Sequence, residues 1–229
     1  MGKLKINPFC GLKNGYDNST GVKNQGPYSY LCSYGGRSFS IIDTETGKMV
    51  ADTGDDLEDQ VYKEAMMLKD AGEPFCFNCD NDENDPGRSD NKGCEPEAIE
   101  VFTENGRTFV AVGLERQSSI VVYEVTEPAT PVFVRYFNNR NYDSDLKLTP
   151  AKAPQMGMLG PEMLKYVPAS TSPNSKPMLI SSGEVSGTLS LFEMELTDTS
   201  LYGRNSFGSP SMGQDVNMKR IGRYLGVVW

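Results

Sequence analysis

The stretch that decides the fold is Gly106-Arg107-Thr108-Phe109-Val110-Ala111-Val112-Gly113-Leu114-Glu115, followed by Ser119-Ile120-Val121-Val122-Tyr123-Glu124. Each is a short apolar, β-branched run bounded by turn residues, which predicts two buried strands. Ahead of them stands Cys94-Glu95-Pro96-Glu97-Ala98-Ile99. The same order returns later in the chain. Gly160-Pro161-Glu162-Met163-Leu164 precedes Lys176-Pro177-Met178-Leu179-Ile180-Ser181-Ser182-Gly183-Glu184, and Gly187-Thr188-Leu189-Ser190-Leu191-Phe192-Glu193 closes the copy. Repeats on this scale belong to stacked or radial architectures. The repeat carries carboxylates in register, with Glu97 matching Glu162 and Glu115 matching Glu184.

Outward from this pair, the pattern stays β. Strands are expected near 28–34, 38–43 and 49–52, then at 97–102, 108–114, 119–125 and 132–137, with three more across 162–196. One short surface helix is expected over 57–69, where Val61, Ala65 and Leu68 fall at helical spacing behind Asp55, Asp56 and Glu58. Four antiparallel strands in about 40 residues is the size of one propeller blade. The fold class read here is therefore all-β, a partial β-propeller of about two and a half antiparallel four-stranded blades. It spans residues 27–196, after an irregular lead-in over 1–26 and before a poorly ordered tail over 197–229. Seven or more strands with regular turn signals also fit a sandwich, and the repeat favours the propeller. With so few blades, a structural subunit completed by a second copy or another chain is a further expectation.

The 229 residues carry 22 basic and 31 acidic side chains, a formal net charge of −9. That balance excludes a nucleic-acid surface, which needs clustered Lys and Arg. No apolar run is long enough for a transmembrane helix, and the first residues lack the apolar core of a signal peptide. The chain has no histidine, which removes any Ser–His or Cys–His nucleophile from it.

Cys10, Cys32, Cys76, Cys79 and Cys94 are the five cysteines. A zinc site is not expected, because Cys76-Phe77-Asn78-Cys79 lacks a second pair. Cys79 and Cys94 bracket an acidic loop and are expected to form a disulfide. Cys10 with Cys32 is a further option, which leaves Cys76 as the odd thiol. Five reduced thiols in an intracellular protein is the alternative. Asn18-Ser19-Thr20 is a glycosylation sequon at Asn18, meaningful if the chain is secreted.

Several of these stretches together resemble the choice-of-anchor I domain. They are Gly35-Gly36-Arg37-Ser38-Phe39-Ser40-Ile41, Arg88-Ser89-Asp90-Asn91-Lys92-Gly93-Cys94-Glu95-Pro96-Glu97, Val112-Gly113-Leu114-Glu115-Arg116, Asn138-Asn139-Arg140, Gly160-Pro161-Glu162 and Gly183-Glu184-Val185-Ser186-Gly187. The resemblance covers roughly residues 28–195 and is to the C-terminal half of that domain. The family includes mesenchyme-specific cell-surface glycoproteins linked to biomineralisation and relatives labelled alkaline-phosphatase-like. It implies a secreted or surface-displayed β-propeller.

Two acidic groups are candidates for a metal. Asp80, Asp82, Asp85 and Asp90 crowd one loop rich in Asn, a donor set suited to calcium. Glu97, Glu115, Glu162 and Glu184 would converge if successive sheets share an axis, and crowded carboxylates need a cation or an Arg beside them. Arg37, Arg88, Arg116 and Arg140 are the candidates for charge pairing or anion binding. The function expected is non-catalytic, a calcium-binding extracellular or cell-surface domain that meets a divalent cation or a mineral surface, in biomineralisation or adhesion. A metal-dependent phosphatase-like hydrolase is the alternative.

Overall fold

The computed structural model describes residues 6–19, 26–33, 36–73, 75–79, 89, 93–142, 148–196, 216–220 and 225–226. Two antiparallel sheets dominate it. In the first, β3 (Pro96–Glu104), β4 (Arg107–Leu114), β5 (Ser119–Glu124) and β6 (Val132–Asn138) follow one another as a simple meander. In the second, β7 (Pro161–Val167), β8 (Met178–Gly183) and β9 (Thr188–Leu196) repeat that order. The fourth place is filled in two pieces: β10 (Val216–Arg220) pairs with 192–196 of β9, and β11 (Leu225–Gly226) pairs with 188–189. The segment the sequence left outside the blades thus supplies an edge to the second sheet. Among the described residues neither sheet closes on itself.

Side chains of β4 and β5 alternate between two cores, as strand geometry requires. Phe109, Ala111, Ile120 and Val122 point into a layer shared with Leu164, Leu179, Phe192 and Met194 of the second sheet. Val110, Val112, Val121 and Tyr123 point the other way. There they meet Phe39 and Ile41 beside the hairpin β1 (Ser40–Ile42) and β2 (Met49–Asp52), and Leu57 and Val61 of α1 (Asp56–Asp70). Burial on both faces explains why these two strands read as unbroken apolar runs.

The two large sheets are fixed to each other by aromatic stacking and by two carboxylates of β3, Glu100 and Glu104, the second accepting from Tyr166 Oη. Phe102 stacks between Phe109 and Tyr166, with ring centroids 5.4 and 4.4 Å away. Glu100 accepts hydrogen bonds from the Tyr166 backbone N–H and from Lys165 Nζ, both at 2.9 Å. It thereby satisfies a donor on the edge of β7, and such unpaired edge groups would otherwise invite a foreign strand. Asn139, in the loop after β6, reaches the second sheet through Ser190 Oγ at 3.1 Å and holds the Met158 N–H at 2.8 Å. That loop contains one turn of helix, α2 (Ala153–Met156).

First-turn carboxylates of α1 tie the helix down as well as favouring its N-terminus. Tyr123 Oη donates to Asp56 at 2.5 Å, and Glu58 accepts the Cys94 N–H at 2.7 Å and Asn78 Nδ2 at 3.0 Å. Leu57, Val61 and Ala65 form its buried stripe.

The structure corrects two expectations. Cys79 does not pair with Cys94: the disulfides are Cys10–Cys32 and Cys76–Cys79, and Cys94 is a buried free thiol. Cys94 belongs to the core over β4 and β5, its backbone held by Glu58, while Cys79 is bonded three residues back. The strand expected over 28–34 is reduced to isolated bridges, Leu12 with Tyr28 and Ile6 with Ser33. Among the described residues this stretch finds no longer ladder, and it is tied to residues 7–13 by backbone hydrogen bonds and the Cys10–Cys32 link.

A candidate cation centre at the ends of two repeated strands

The sequence repeat is also a backbone repeat. Glu95 and Gly160 both have left-handed backbone, with φ of 48° and 65°. Each is followed by a proline that opens a strand, Pro96 or Pro161. The next residue, Glu97 or Glu162, falls in a register shift: Pro96 pairs with Leu114 and Ala98 with Gly113, while Pro161 pairs with Gly183 and Met163 with Ser182. Both glutamates are therefore the extra residue of a bulge, a device that re-aims one side chain out of the ladder.

The loops joining the second and third strands match in the same way. Glu115 and Glu184 start them, and their N–H groups donate to the carbonyls of Glu95 and Gly160 at 2.8 and 2.7 Å. Ser118 and Gly187 end them in left-handed conformation, with φ of 56° and 62°. The two copies touch here, since the Gly160 N–H donates to Ser118 Oγ at 3.3 Å.

This framework brings five carboxylates together. Oxygens of Glu95, Glu97 and Glu115 lie within 4.8 Å of one another, and so do oxygens of Glu115, Glu162 and Glu184. Glu115 is the shared member and is buried, while Glu97, Glu162 and Glu184 reach solvent. A hard cation holds oxygens at about 2.4 Å, so its ligands stand up to about 4.8 Å apart. The spacing fits such an ion. One internal cation already stands at the rim: Arg116 pairs with Glu95 and lies 3.6 Å from Glu115.

Crowding shows in the proton affinities. Burial pushes the Glu115 carboxyl up to about 8, with a hydrogen bond to Glu95 adding to the rise and Arg116 opposing it. Glu162 still meets solvent, yet desolvation and hydrogen bonds to Glu184 and Glu97 push it up to about 7. Like charges this close cannot all ionise without a counter-charge.

Glu97, Glu115, Glu162 and Glu184 are thus brought together, with Arg116 beside them. Arg37 lies exposed ahead of β1, and Arg140 is buried with its guanidinium 5.6 Å from the centre of the Tyr142 ring. Asp80, Asp82, Asp85, Asp90 and Arg88 fall outside the described residues. Asn18 is exposed, beside a turn in which Asp17 accepts from the Ser19 N–H at 2.8 Å. Glu95, two residues before Glu97, reads in the sequence as sharing one side of an extended strand with it; the structure sets it beside Glu97 from left-handed backbone instead. The sign of that backbone was available, because Glu95 aligns with Gly160, and glycine marks positions that need left-handed backbone.

A match to the choice-of-anchor I domain model runs over residues 10–128, more than half of the chain. The chain belongs to the choice-of-anchor I domain family. Among curated proteins it is similar to Gigasin-3a of Magallana gigas, at 28% identity over 184 residues, which is 79% of this chain and 63% of that protein. The chain therefore spans less than two thirds of this relative's length. No solved structure matches it. Family membership, the relative and the two disulfides fit an extracellular or cell-surface placement. Among the described residues no helix is long and apolar enough to cross a membrane.

Proposed function

We propose that this chain is a secreted or surface-displayed module that binds a divalent cation, calcium by its all-oxygen donors, between two blade-like sheets of a β-propeller segment. The observation that carries this reading is the equivalence of two bulges, which aims Glu97 and Glu162 at the same place as Glu115 and Glu184. Carboxylates repeated at equivalent points of successive sheets meet near a common axis, which supports the radial arrangement. Glu115 would supply the buried ligand, and Glu97, Glu162 and Glu184 the exposed ones. Calcium accepts six to eight oxygens in flexible geometry, so positions left open toward solvent would take water or the anionic groups of a mineral or adhesive surface. No nucleophile is required of the protein for this role.

Isothermal titration of calcium into the wild type and into Glu97→Gln with Glu162→Gln tests the reading. The double variant should lose affinity by at least about tenfold, or 1.4 kcal/mol. Unchanged binding would move the ion to the loop of Asp80, Asp82, Asp85 and Asp90. Calcium-dependent turnover of a chromogenic phosphate ester would favour the hydrolase instead.

A further inference from the structure

The two copies of the repeat match in backbone and differ at one pair of positions that touch. Arg116 and Val185 follow Glu115 and Glu184, and their N–H groups donate to the carbonyls of Cys94 and Leu159, both at 3.2 Å. Glu95 and Gly160 open the copies from left-handed backbone. In each copy the two positions meet across the bulge. Arg116 Nε donates to the Glu95 carboxylate in the first. In the second, a Cβ added to Gly160 would lie 3.0 Å from Val185 Cγ2. An ion pair in one copy therefore stands where glycine and an aliphatic side chain stand in the other. Positive φ disfavours glutamate and suits glycine. A side chain kept at Glu95 against that preference points to a role for its charge.

The difference divides the carboxylates. Oxygens of Glu95, Glu97 and Glu115 form one group, and those of Glu115, Glu162 and Glu184 form the other. The first already holds a positive side chain, because Arg116 pairs with Glu95 and lies 3.6 Å from Glu115. In the second, no Lys or Arg among the described residues pairs with Glu162 or Glu184. Val185 brings only methyl groups, packed on Met156 and Leu159.

We propose that Arg116 is the resident cation of the first group and that the divalent ion enters only the second, between Glu115, Glu162 and Glu184. The residue that follows each matched glutamate, Arg116 or Val185, decides which copy takes an ion. This inference rests on the cation reading above and deepens it, naming the group that admits the ion and the side chain that closes the other. A guanidinium stays charged and makes directed bonds to carboxylates, so it competes with an entering ion for the same oxygens. Positive charges a few ångströms apart also repel strongly where water is largely excluded. Glu115 belongs to both groups. Its carboxylate offers about four acceptor sites, enough to face Arg116 on one side and an ion on the other.

Calcium titration calorimetry on single variants reads the assignment as a change in stoichiometry. Val185→Arg puts a guanidinium into the second copy and should bind one calcium fewer per chain than the wild type. Val185→Met, long but uncharged, should keep the wild-type number. Arg116→Val opens the first copy and should bind one calcium more. Far-ultraviolet circular dichroism of the chelated proteins checks the fold, and the two Val185 variants decide the matter if Arg116→Val does not fold. Wild-type stoichiometry in Val185→Arg, or in a folded Arg116→Val, would overturn the proposal. So would an equal loss in Val185→Arg and Val185→Met. Glu97→Gln with Glu162→Gln separates the two failures. If that variant loses an ion that Val185→Arg keeps, the cation centre stands and the role of Arg116 falls. If it keeps every ion the wild type binds, the cation reading falls and takes this inference with it.

Discussion

Gly113 lies against Pro161 so closely that a Cβ on the glycine would come within 3.2 Å of the proline's Cβ and carbonyl oxygen, and within 2.9 Å of Ala98 Cβ. This contact between the two sheets lies next to the carboxylates. Gly113 pairs with Ala98, one step from the bulge that carries Glu97, and Pro161 precedes Glu162. The close approach therefore sets how near those two side chains can come. Gly113→Ala should push β4 and β7 apart and cost about 1–3 kcal/mol, the usual range for overpacking. Thermal denaturation would read the loss. Calcium affinity should fall with it, because the two halves of the site sit on opposite sides of this contact.

Stability without a cation should fall as pH rises. Glu115 and Glu162 titrate in the folded state near 8 and 7, well above the ordinary carboxylate value of 4.5. Between about 4.5 and 8 the folded protein holds protons that the unfolded chain has released, so raising the pH favours unfolding. The contribution of these groups is complete below 4.5 and is lost through 7 and 8. Calcium replaces the protons, so its stabilising effect should grow over the same window. Melting temperatures at pH 5, 7 and 9, with calcium and with chelator, measure this. A chelated protein that melts higher at pH 9 than at pH 5 would contradict it.

Arg116 is the protein's own counter-ion to the cluster. Its pairing with Glu95 and its 3.6 Å approach to Glu115 involve side chains no more than 14% exposed. Removing one member of such a pair leaves an uncompensated charge, at a cost of about 3 kcal/mol or more when buried. Arg116→Ala should destabilise the chelated protein by that order. Added calcium should recover much of the loss, whereas Arg107→Ala, which breaks the outlying pair with Glu124, should show no calcium-dependent recovery. Equal melting shifts with and without calcium would separate Arg116 from the site.

How much of this could be read from the sequence follows from the range of the forces involved. The strands at 107–114, 119–124, 161–167 and 178–183 were legible because short apolar runs and the turn residues that bound them are local signals. The convergence of Glu97 with Glu162 was legible because a repeat in sequence becomes a repeat in space. Spacing in the sequence puts Glu95 beside Glu97 on an extended strand, whereas left-handed backbone sets it ahead of β3, a conformation that the matching Gly160 signals. The disulfide pairing was not legible. Cys94 goes into the core with Val110 and Tyr123 through contacts far apart in the chain, and no spacing rule records them. The edge strand at 216–220 escaped for a related reason: what places it is the open side of β9 rather than any strong pattern of its own.

Cys94 should behave as an inert thiol despite a disulfide nearby in sequence. It is fully buried, and burial, reinforced by the neighbouring Glu58 carboxylate, pushes its thiol well above the ordinary value. The thiolate is the reactive form, so both access and ionisation are denied. A maleimide reagent should leave the native protein unlabelled and modify one cysteine once denaturant is added, with peptide mapping placing the label on Cys94. The intact pairs Cys10–Cys32 and Cys76–Cys79 should appear in the same map. Rapid labelling of native protein at Cys94, or a Cys79–Cys94 peptide in the map, would refute this account of the thiol and reopen the pairing.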